Sequence, residues 1–196
     1  MKLIALVSLM LASGATFIGA TDENASQNRS WSMDRTTGAW THRPTGISVP
    51  KSIDGFKRKS AEPFNKDGTA IFSYSSDKAV ITLYLGHRSL EGFPGNEDCT
   101  PALRDNYIKE MHRRHGKTDS ETPFRLQFAR GGKRASGVGT SCHFVSDPEF
   151  SGDPAYSEIG AVLIGDYLYY YRATFFEKAG RGDLAAFLEA IGIKKI

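Results

Sequence analysis

The fold is decided by residues 157–175, which read SEIGAVLIGDYLYYYRATF. Gly165 and Asp166 separate two segments that have the length and composition of β-strands, which predicts a tight antiparallel hairpin. In the second segment, residues 167–171 place bulky side chains on both faces of the strand. A strand that is apolar on both faces belongs at the centre of a sheet, so this hairpin should organise the domain.

A second hairpin and two helices are predicted around this centre. Residues 69–75 and 78–85 are rich in β-branched and aromatic side chains, and a polar turn joins them. Thr100 and Pro101 mark the start of a long helix, in which apolar residues recur at every fourth position. Asp183 is predicted to cap a last helix near the end of the chain.

This order of elements predicts an α+β fold, a mostly antiparallel β-sheet with helices packed on it. Residues 45–50, 55–58, 73–75 and 79–85 resemble the opening of small exported bacterial proteins without assigned activity. The layout is similar to the Mog1/PsbP-like α/β/α sandwich. The resemblance implies that architecture and a class that includes binding and assembly factors, and it carries no catalytic residues that map onto this chain.

Residues 1–20 have the composition of a secretory signal peptide. Lys2 supplies the positive start, and an apolar run of about ten residues follows before several small residues. Such a run is too short to cross a hydrocarbon core, which needs roughly 20 residues. We expect cleavage between Ala20 and Thr21, with a cut after Gly14 as the alternative. The mature protein should be periplasmic or secreted, without a transmembrane segment.

Composition divides the mature chain into two parts. Residues 21–41 are mostly polar and small, which predicts a disordered segment. Residues 42–196 are numerous enough for one sizeable core and predict a single α+β domain. The net charge of +3 falls to +2 with the leader, which contains Lys2 and no acidic residue. So small a charge argues against nucleic acid as the main partner.

The sequence contains two cysteines, Cys99 and Cys142. In an oxidising compartment an even pair usually forms a disulfide. Closing a loop of about 44 residues stabilises a fold by roughly 4 kcal/mol in the chain-entropy model. We therefore expect a Cys99–Cys142 bridge. The alternative is a reactive thiol or a redox pair.

Motifs for catalysis and metal binding are weak. His112 and His115 have a spacing that suits metal ligands on a helix, but the two arginines between them oppose a cation. His143 follows Cys142 in a predicted strand, where neighbours point to opposite faces, so this histidine cannot serve this cysteine. We expect no catalytic, cofactor-binding or metal-binding residues.

Basic side chains define a candidate partner surface, which consists of Lys57, Arg58, Lys59, Arg113 and Arg114. Aromatic residues flank the first three of them. Such a surface suits an acidic envelope protein, an anionic lipid or a glycan. The alternative is a solvated edge strand, on which lysines discourage the addition of another strand.

The leading interpretation is a non-enzymatic periplasmic or secreted binding or assembly module, whose ligand the sequence does not identify. It depends on the lack of a metal-ligand set, a catalytic triad spacing and a phosphate loop in the sequence. One alternative is a hydrolase-type enzyme with a histidine and a carboxylate in a cleft, with the candidates His87, Glu97, Asp98 and His112. Another is an inhibitor or immunity-like protein, which predicts tight association with one acidic partner and no turnover.

Overall fold

Antiparallel β-strands make up most of the protein. The computed structural model describes residues 30–63, 69–89, 91–93, 97–115, 118, 120–144, 155–175 and 180–196. Strand accounts for 56% of the structure and helix for 18%, so the fold is mainly β. The elements in chain order are β1 (Trp31–Met33), β2 (Trp40–His42), β3 (Ile47–Val49), β4 (Ser52–Ile53), β5 (Phe56–Pro63), β6 (Ala70–Ser75), β7 (Ala79–His87), α1 (Thr100–His115), β8 (Ser120–Arg130), β9 (Lys133–Phe144), β10 (Ala155–Ile164), β11 (Tyr167–Phe175), α2 (Gly180–Ala190) and β12 (Ile193–Lys195).

The described strands β4 to β12 form one curled antiparallel sheet in the order β12-β8-β9-β10-β11-β7-β6-β5-β4. β10 and β11 pair along their length and lie in the middle of this order. The hairpin predicted at Gly165 and Asp166 is therefore confirmed. Gly165 has a φ of 61°, which a glycine adopts without strain.

The positions of other predicted elements are also confirmed. β6 and β7 pair antiparallel, as expected for the second hairpin. α1 spans Thr100–His115 and so begins at the threonine–proline pair, but the buried hydroxyl of Thr100 has no hydrogen-bond partner among the described residues and does not cap the helix. The predicted cap at Asp183 is wrong, because α2 begins at Gly180 and Asp183 lies inside its first turn.

The inner face of the curled sheet holds the main hydrophobic core. α2 packs into it, with the ring of Phe187 5.2 Å from that of Phe56 and 5.0 Å from that of Tyr74. Alternate residues of the central strands point to the same side, among them the buried side chains of Phe72, Leu83, Tyr169, Tyr171 and Phe175. Burial of this apolar surface is the main driving force for folding.

α1 packs on the opposite, outer face of the sheet, against β9 and β10. Its predicted apolar stripe is confirmed, because Tyr107 and Met111 are buried there. They form one cluster with Cys142, Phe144 and Ile159. Neither helix of the described chain has the length and apolar character needed to cross a bilayer.

The predicted α+β class, an α/β/α sandwich of Mog1/PsbP-like layout, is wrong. The described chain contains two helices, and each covers only part of a much larger antiparallel sheet. The prediction failed because it treated the strands as one flat layer that needs helices on its faces. A sheet that curls can bury the side chains of its inner face largely against one another.

The segment predicted to be disordered contains strands in its described part. β1 and β2 pair with each other, and β3 completes a second, three-stranded sheet. Trp31 is 3% exposed, and its ring lies 5.3 Å from that of Phe72 in the main core. One large aromatic residue thus orders a stretch whose average composition is polar. Residues 1–29, with the predicted signal peptide and its cleavage site at Ala20 and Thr21, lie outside the described residues.

Further side-chain contacts join the small sheet to the large one. The fully buried ring of His42 in β2 lies 4.6 Å from that of Tyr167 in β11. Arg58 of β5 donates hydrogen bonds to the carbonyl oxygens of Val49 at 3.2 Å and Gly38 at 2.8 Å. Residues of both sheets consequently share one hydrophobic core.

Candidate functional site

A buried carboxylate, Glu158, lies on the inner face of β10. Its side chain is 1% exposed. The Tyr171 hydroxyl donates a hydrogen bond to Oε1 at 2.6 Å, and the Lys195 ammonium donates one to Oε2 at 2.9 Å. Burying a charged group costs several kcal/mol unless it is paired and hydrogen-bonded, so the carboxylate of Glu158 depends on these two partners. We call Glu158, Tyr171, Lys195, Phe124 and Ser141 the Glu158 cluster.

The register of the sheet brings these side chains together. Glu158 pairs with Ala173 on β11, which places Tyr171 two residues along on the same face. Lys195 pairs with Leu126 on β8, at the edge of the sheet. β8 and β9 lie between β12 and β10, and the curl of the sheet returns the lysine side chain over the inner face.

Tyr171 acts as a hydrogen-bond donor in this cluster. Burial, and after it the negative charge of Glu158, raise the pKa of Tyr171 well above its usual value. The phenol therefore keeps its proton at neutral pH. One neutral donor and one cationic donor thus engage one carboxylate oxygen each.

Two aromatic rings form the walls of the cluster, and two glycines make room for them. The Lys195 Nζ lies 3.7 Å from the centre of the Phe124 ring, a favourable cation–π contact. A Cβ atom at Gly139 would lie 2.2 Å from the Phe124 ring, and one at Gly160 would lie 2.4 Å from the Tyr171 ring. Any side chain at either glycine would displace a ring of the cluster.

Ser141 contributes an unsatisfied hydroxyl. It pairs with Glu158 across β9 and β10, so both side chains lie on the inner face. The residue is 7% exposed, and its Oγ has no hydrogen-bond partner among the described residues. A buried polar atom without a partner costs about 1–3 kcal/mol. The hydroxyl is therefore available to a polar group that enters the cluster.

Three flat side chains stack beside the cluster. The ring of Tyr156 lies 4.4 Å from that of His143, and the guanidinium carbon of Arg181 lies 5.2 Å from the Tyr156 ring centre. His143 and Tyr156 pair across β9 and β10, two residues from Ser141 and Glu158 on the same face. The two rings are half-buried and Arg181 is exposed, so this stack gives the cluster an aromatic and cationic border towards solvent.

The structure does not bring the two cysteines together. Both are buried free cysteines and they are not near each other. Cys99 belongs to a cluster with Ala161, whereas Cys142 pairs with Ser157. Four residues of an extended strand span about 13 Å, and a disulfide requires Cα atoms within about 7 Å. The predicted bridge is therefore not formed in this structure, and burial raises the pKa of the Cys142 thiol to about 11.

The candidate partner surface, which consists of Lys57, Arg58, Lys59, Arg113 and Arg114, is divided in the structure. Arg58 donates hydrogen bonds to the backbone carbonyls of Val49 and Gly38. Arg113 donates two hydrogen bonds to Glu110, at 2.8 Å and 2.7 Å. The two lysines are exposed on β5, four strands away from β10, against which α1 packs. The side chain of Arg114 lies outside the described residues.

One histidine among the hydrolase candidates contacts a carboxylate. The Nε2 of His112 lies 2.7 Å from Oε1 of Glu121. The side chains are 39% and 37% exposed, so this is a surface pair between α1 and β8. Glu121 pairs with Cys142 in the β8–β9 ladder, and its charge adds to the effect of burial in raising the pKa of that thiol.

The other hydrolase candidates have different partners. His87 Nδ1 lies 2.7 Å from the hydroxyl of Ser89. Asp98 accepts a hydrogen bond at 3.0 Å from the backbone amide of Thr100, where α1 begins. Glu97 is exposed. The described contacts join no two of the four predicted side chains.

The described residues contain no group of three or more histidine, cysteine, aspartate or glutamate side chains placed to hold a metal ion. The side chain of His115, half of the predicted metal pair, lies outside the described residues. His112 is engaged with Glu121 instead.

A groove of about 650 Å³ lies along the β8–β9 hairpin, lined by residues 127–129 and 134–136. These positions are near the tip of the hairpin, whereas Ser141 and Glu158 lie towards its other end. The groove therefore belongs to a different part of the sheet from the Glu158 cluster.

Sequence reasoning missed the Glu158 cluster. A detectable signal existed, because a single acidic residue stands in an otherwise apolar strand that is predicted to be central. Such a residue must find a partner when it is buried. That partner, Lys195, is 37 residues later in the chain, and no local pattern identifies it.

Comparison with known proteins gives no assignment. No family model matches this chain, and no curated protein matches it.

Proposed function

We propose that this chain is a non-enzymatic binding or assembly module that is exported to the periplasm or secreted, and that it engages its partner at the Glu158 cluster. The observation that supports this proposal is the placement of Glu158, 1% exposed, between two donors and beside the unsatisfied hydroxyl of Ser141. A few fixed polar groups among aromatic walls are typical of recognition sites.

The chemistry of the cluster favours recognition over turnover. Tyr171 keeps its proton, and the Lys195 ammonium is engaged by Glu158 and Phe124. The Tyr171 phenol is therefore not poised as a general base at neutral pH. The Cys142 thiol is buried and protonated, which makes it a poor nucleophile. A recognition role requires only that these groups keep their positions.

The proposal is tested by affinity capture from a native envelope extract. The mature chain, its Glu158→Gln variant and its Glu189→Gln variant serve as baits, and quantitative mass spectrometry identifies the retained proteins. Glu189 is exposed on α2 and is a matched control for the loss of one carboxylate. We expect a partner that the wild-type and Glu189→Gln baits retain and the Glu158→Gln bait loses. Equal retention by all three baits would contradict binding at this cluster.

A second surface remains for the acidic partner expected from the sequence. The exposed side chains of Lys57 and Lys59 on β5 are available to an acidic envelope protein, an anionic lipid or a glycan. Replacing both lysines by glutamine should weaken such an interaction, measured as retention on vesicles that contain an anionic lipid or on an acidic bait.

One observation favours a hydrolase as the second candidate, namely the contact between His112 and Glu121. A histidine oriented by a carboxylate can act as a general base. Both side chains are more than a third exposed, so this pair is open to solvent. Assays with activated ester substrates on the wild-type chain and a His112→Gln variant distinguish the two functions. Turnover that disappears in the variant would favour the enzyme over the binding module.

A further inference from the structure

β12 inserts an ammonium group into a site that the rest of the chain builds. The carboxylate of Glu158 accepts the hydrogen bond from Lys195, and the ring of Phe124 lies under the same nitrogen. A carboxylate and an aromatic face together form a favourable environment for a primary ammonium. The lysine therefore occupies this site in the way that a ligand would.

The backbone beside the lysine is held as an extended peptide. Ala129 N donates to the carbonyl of Gly192, and Ile196 N donates to the carbonyl of Arg125, both at 3.0 Å. Between these two bonds, residues 193–195 pair with residues 126–128 of β8. The edge of β8 thus recognises main-chain groups, as sheet edges do when they bind a peptide strand.

Alternate side chains of β12 enter the inner face. Ile193 is 1% exposed and belongs to the main core, and Lys195 reaches Glu158. Lys194 between them is exposed, and so is Ile196, whereas the side chain of Lys195 is 36% exposed and makes its ion pair with Glu158. β12 thus presents an aliphatic residue and, two positions later, a lysine to the inner face of the sheet.

β12, which lies along the edge of β8, is suited to replacement by another strand. β12 is three residues long, stands at the edge of the sheet and is the last element of the described chain. Gly192, with a φ of 90°, connects it to the turn after α2. A short strand at the edge of a sheet can leave it without disrupting the strands at the centre.

Building on the proposed function, we infer that the edge of β8 and the Glu158 cluster form a recognition site for an extended partner segment of the pattern aliphatic-x-Lys. The chain's own residues 193–195 fill the site in cis, and a partner strand binds by replacing them. The partner's lysine then takes the position of Lys195 between Glu158 and Phe124.

The test uses a fluorescent peptide of sequence Gly-Ile-Lys-Lys-Ile and the mature chain with a Lys195→Ala substitution. Removing the cis lysine should raise the affinity for the peptide at least tenfold over the wild-type chain, measured by fluorescence anisotropy. Lys194→Ala is the matched control and should bind like the wild-type chain, because Lys194 does not reach the cluster. Adding Glu158→Gln to Lys195→Ala should remove the gain.

A second peptide tests the recognition of the charge. Replacing its second lysine by norleucine keeps the length of the side chain and removes the ammonium, and should weaken binding to the Lys195→Ala chain at least tenfold. Equal binding of the two peptides, or equal affinity of the Lys195→Ala and Lys194→Ala chains, would overturn the inference.

If the Lys195→Ala chain does not fold, hydrogen exchange on the wild-type chain decides the question. A large excess of the lysine peptide should accelerate exchange of the amides of Lys194 and Ile196, which face β8 in the antiparallel ladder, and the norleucine peptide should not. No acceleration overturns the inference. If the peptide experiments fail but capture of a partner still depends on Glu158, only this inference is overturned and the proposed function stands. If the peptide binds but no partner is captured, only the proposed function is contradicted.

Discussion

The ammonium of Lys195 lies 2.9 Å from the carboxylate of Glu158, although β8 and β9 separate their strands. In a flat sheet these strands would be about 14 Å apart, at roughly 4.8 Å for each spacing. The contact is therefore a direct consequence of the curl of the sheet. It joins the last strand of the chain to the middle of the fold.

Replacing Lys195 by alanine should destabilise the protein. Glu158 would remain buried with Tyr171 as its donor, and loss of a hydrogen bond to a charged group costs about 1.5–3 kcal/mol. Because the lysine side chain is 36% exposed, we expect the loss in the free energy of unfolding to lie near the lower end of this range. Urea denaturation gives the free energy of unfolding, and Lys194→Ala, on the exposed side of the same strand, should change it by less than about 0.5 kcal/mol. Equal effects of the two variants would contradict a stabilising role of the Glu158–Lys195 contact.

Acid should destabilise the fold through His42. Its Nδ1 lies 2.9 Å from the Thr45 hydroxyl, and its Nε2 is buried without a partner among the described residues. Burial, and after it the positive charge of Lys133, lower the pKa of His42 from 6.5 to about 4. The unfolded chain therefore binds a proton at higher pH than the folded chain, so protonation favours unfolding.

The contribution of neutral His42 to the free energy of unfolding should be fully present above about pH 6.5. It should decrease as the pH falls towards 4, by at most about 1.4 kcal/mol per pH unit. Urea denaturation from pH 7 to pH 4.5 measures this slope. The free energy of unfolding of a His42→Gln variant should depend less on pH in this range, because the variant lacks the titrating imidazole. Parallel profiles of the two proteins across this window would show that His42 does not titrate as the structure predicts.

Both cysteines should be unreactive in the folded chain and free after unfolding. Burial raises the pKa of Cys99 and raises that of Cys142 to about 11, so little thiolate forms at neutral pH. Iodoacetamide should label neither residue in the native protein and both in urea without a reductant, measured by intact mass. An exported chain with no free thiol in urea would instead support the disulfide predicted from the sequence.

Gly160→Ala should destabilise the protein, because the new Cβ would lie 2.4 Å from the Tyr171 ring. Overpacking of this kind costs about 1–3 kcal/mol. Gly182 in α2 is the control, since nothing in the described structure lies within 4 Å of a Cβ added there. Gly182→Ala should be neutral or stabilise by up to about 1 kcal/mol, as alanine favours helix. In thermal denaturation, the melting temperature should therefore fall for Gly160→Ala and stay the same or rise for Gly182→Ala.

The sequence alone determined the local elements of this protein. Gly165 and Asp166 specify the central hairpin because the geometry of a two-residue turn depends on its own residues. Pro101 at the first turn and the four-residue apolar spacing after it specify α1, because both signals act within a few positions of the chain. In these cases the interactions that select the conformation lie within a few positions of one another.

Only the tertiary structure decided the contacts between distant residues. The curl of the sheet, which replaced the expected sandwich, results from the packing of many strands and has no signal in any one of them. The same packing orders Trp31 against Phe72 and holds the cysteines in separate clusters. It also places Lys195 on Glu158, because a buried charge is stabilised by whichever partner the whole fold brings within reach.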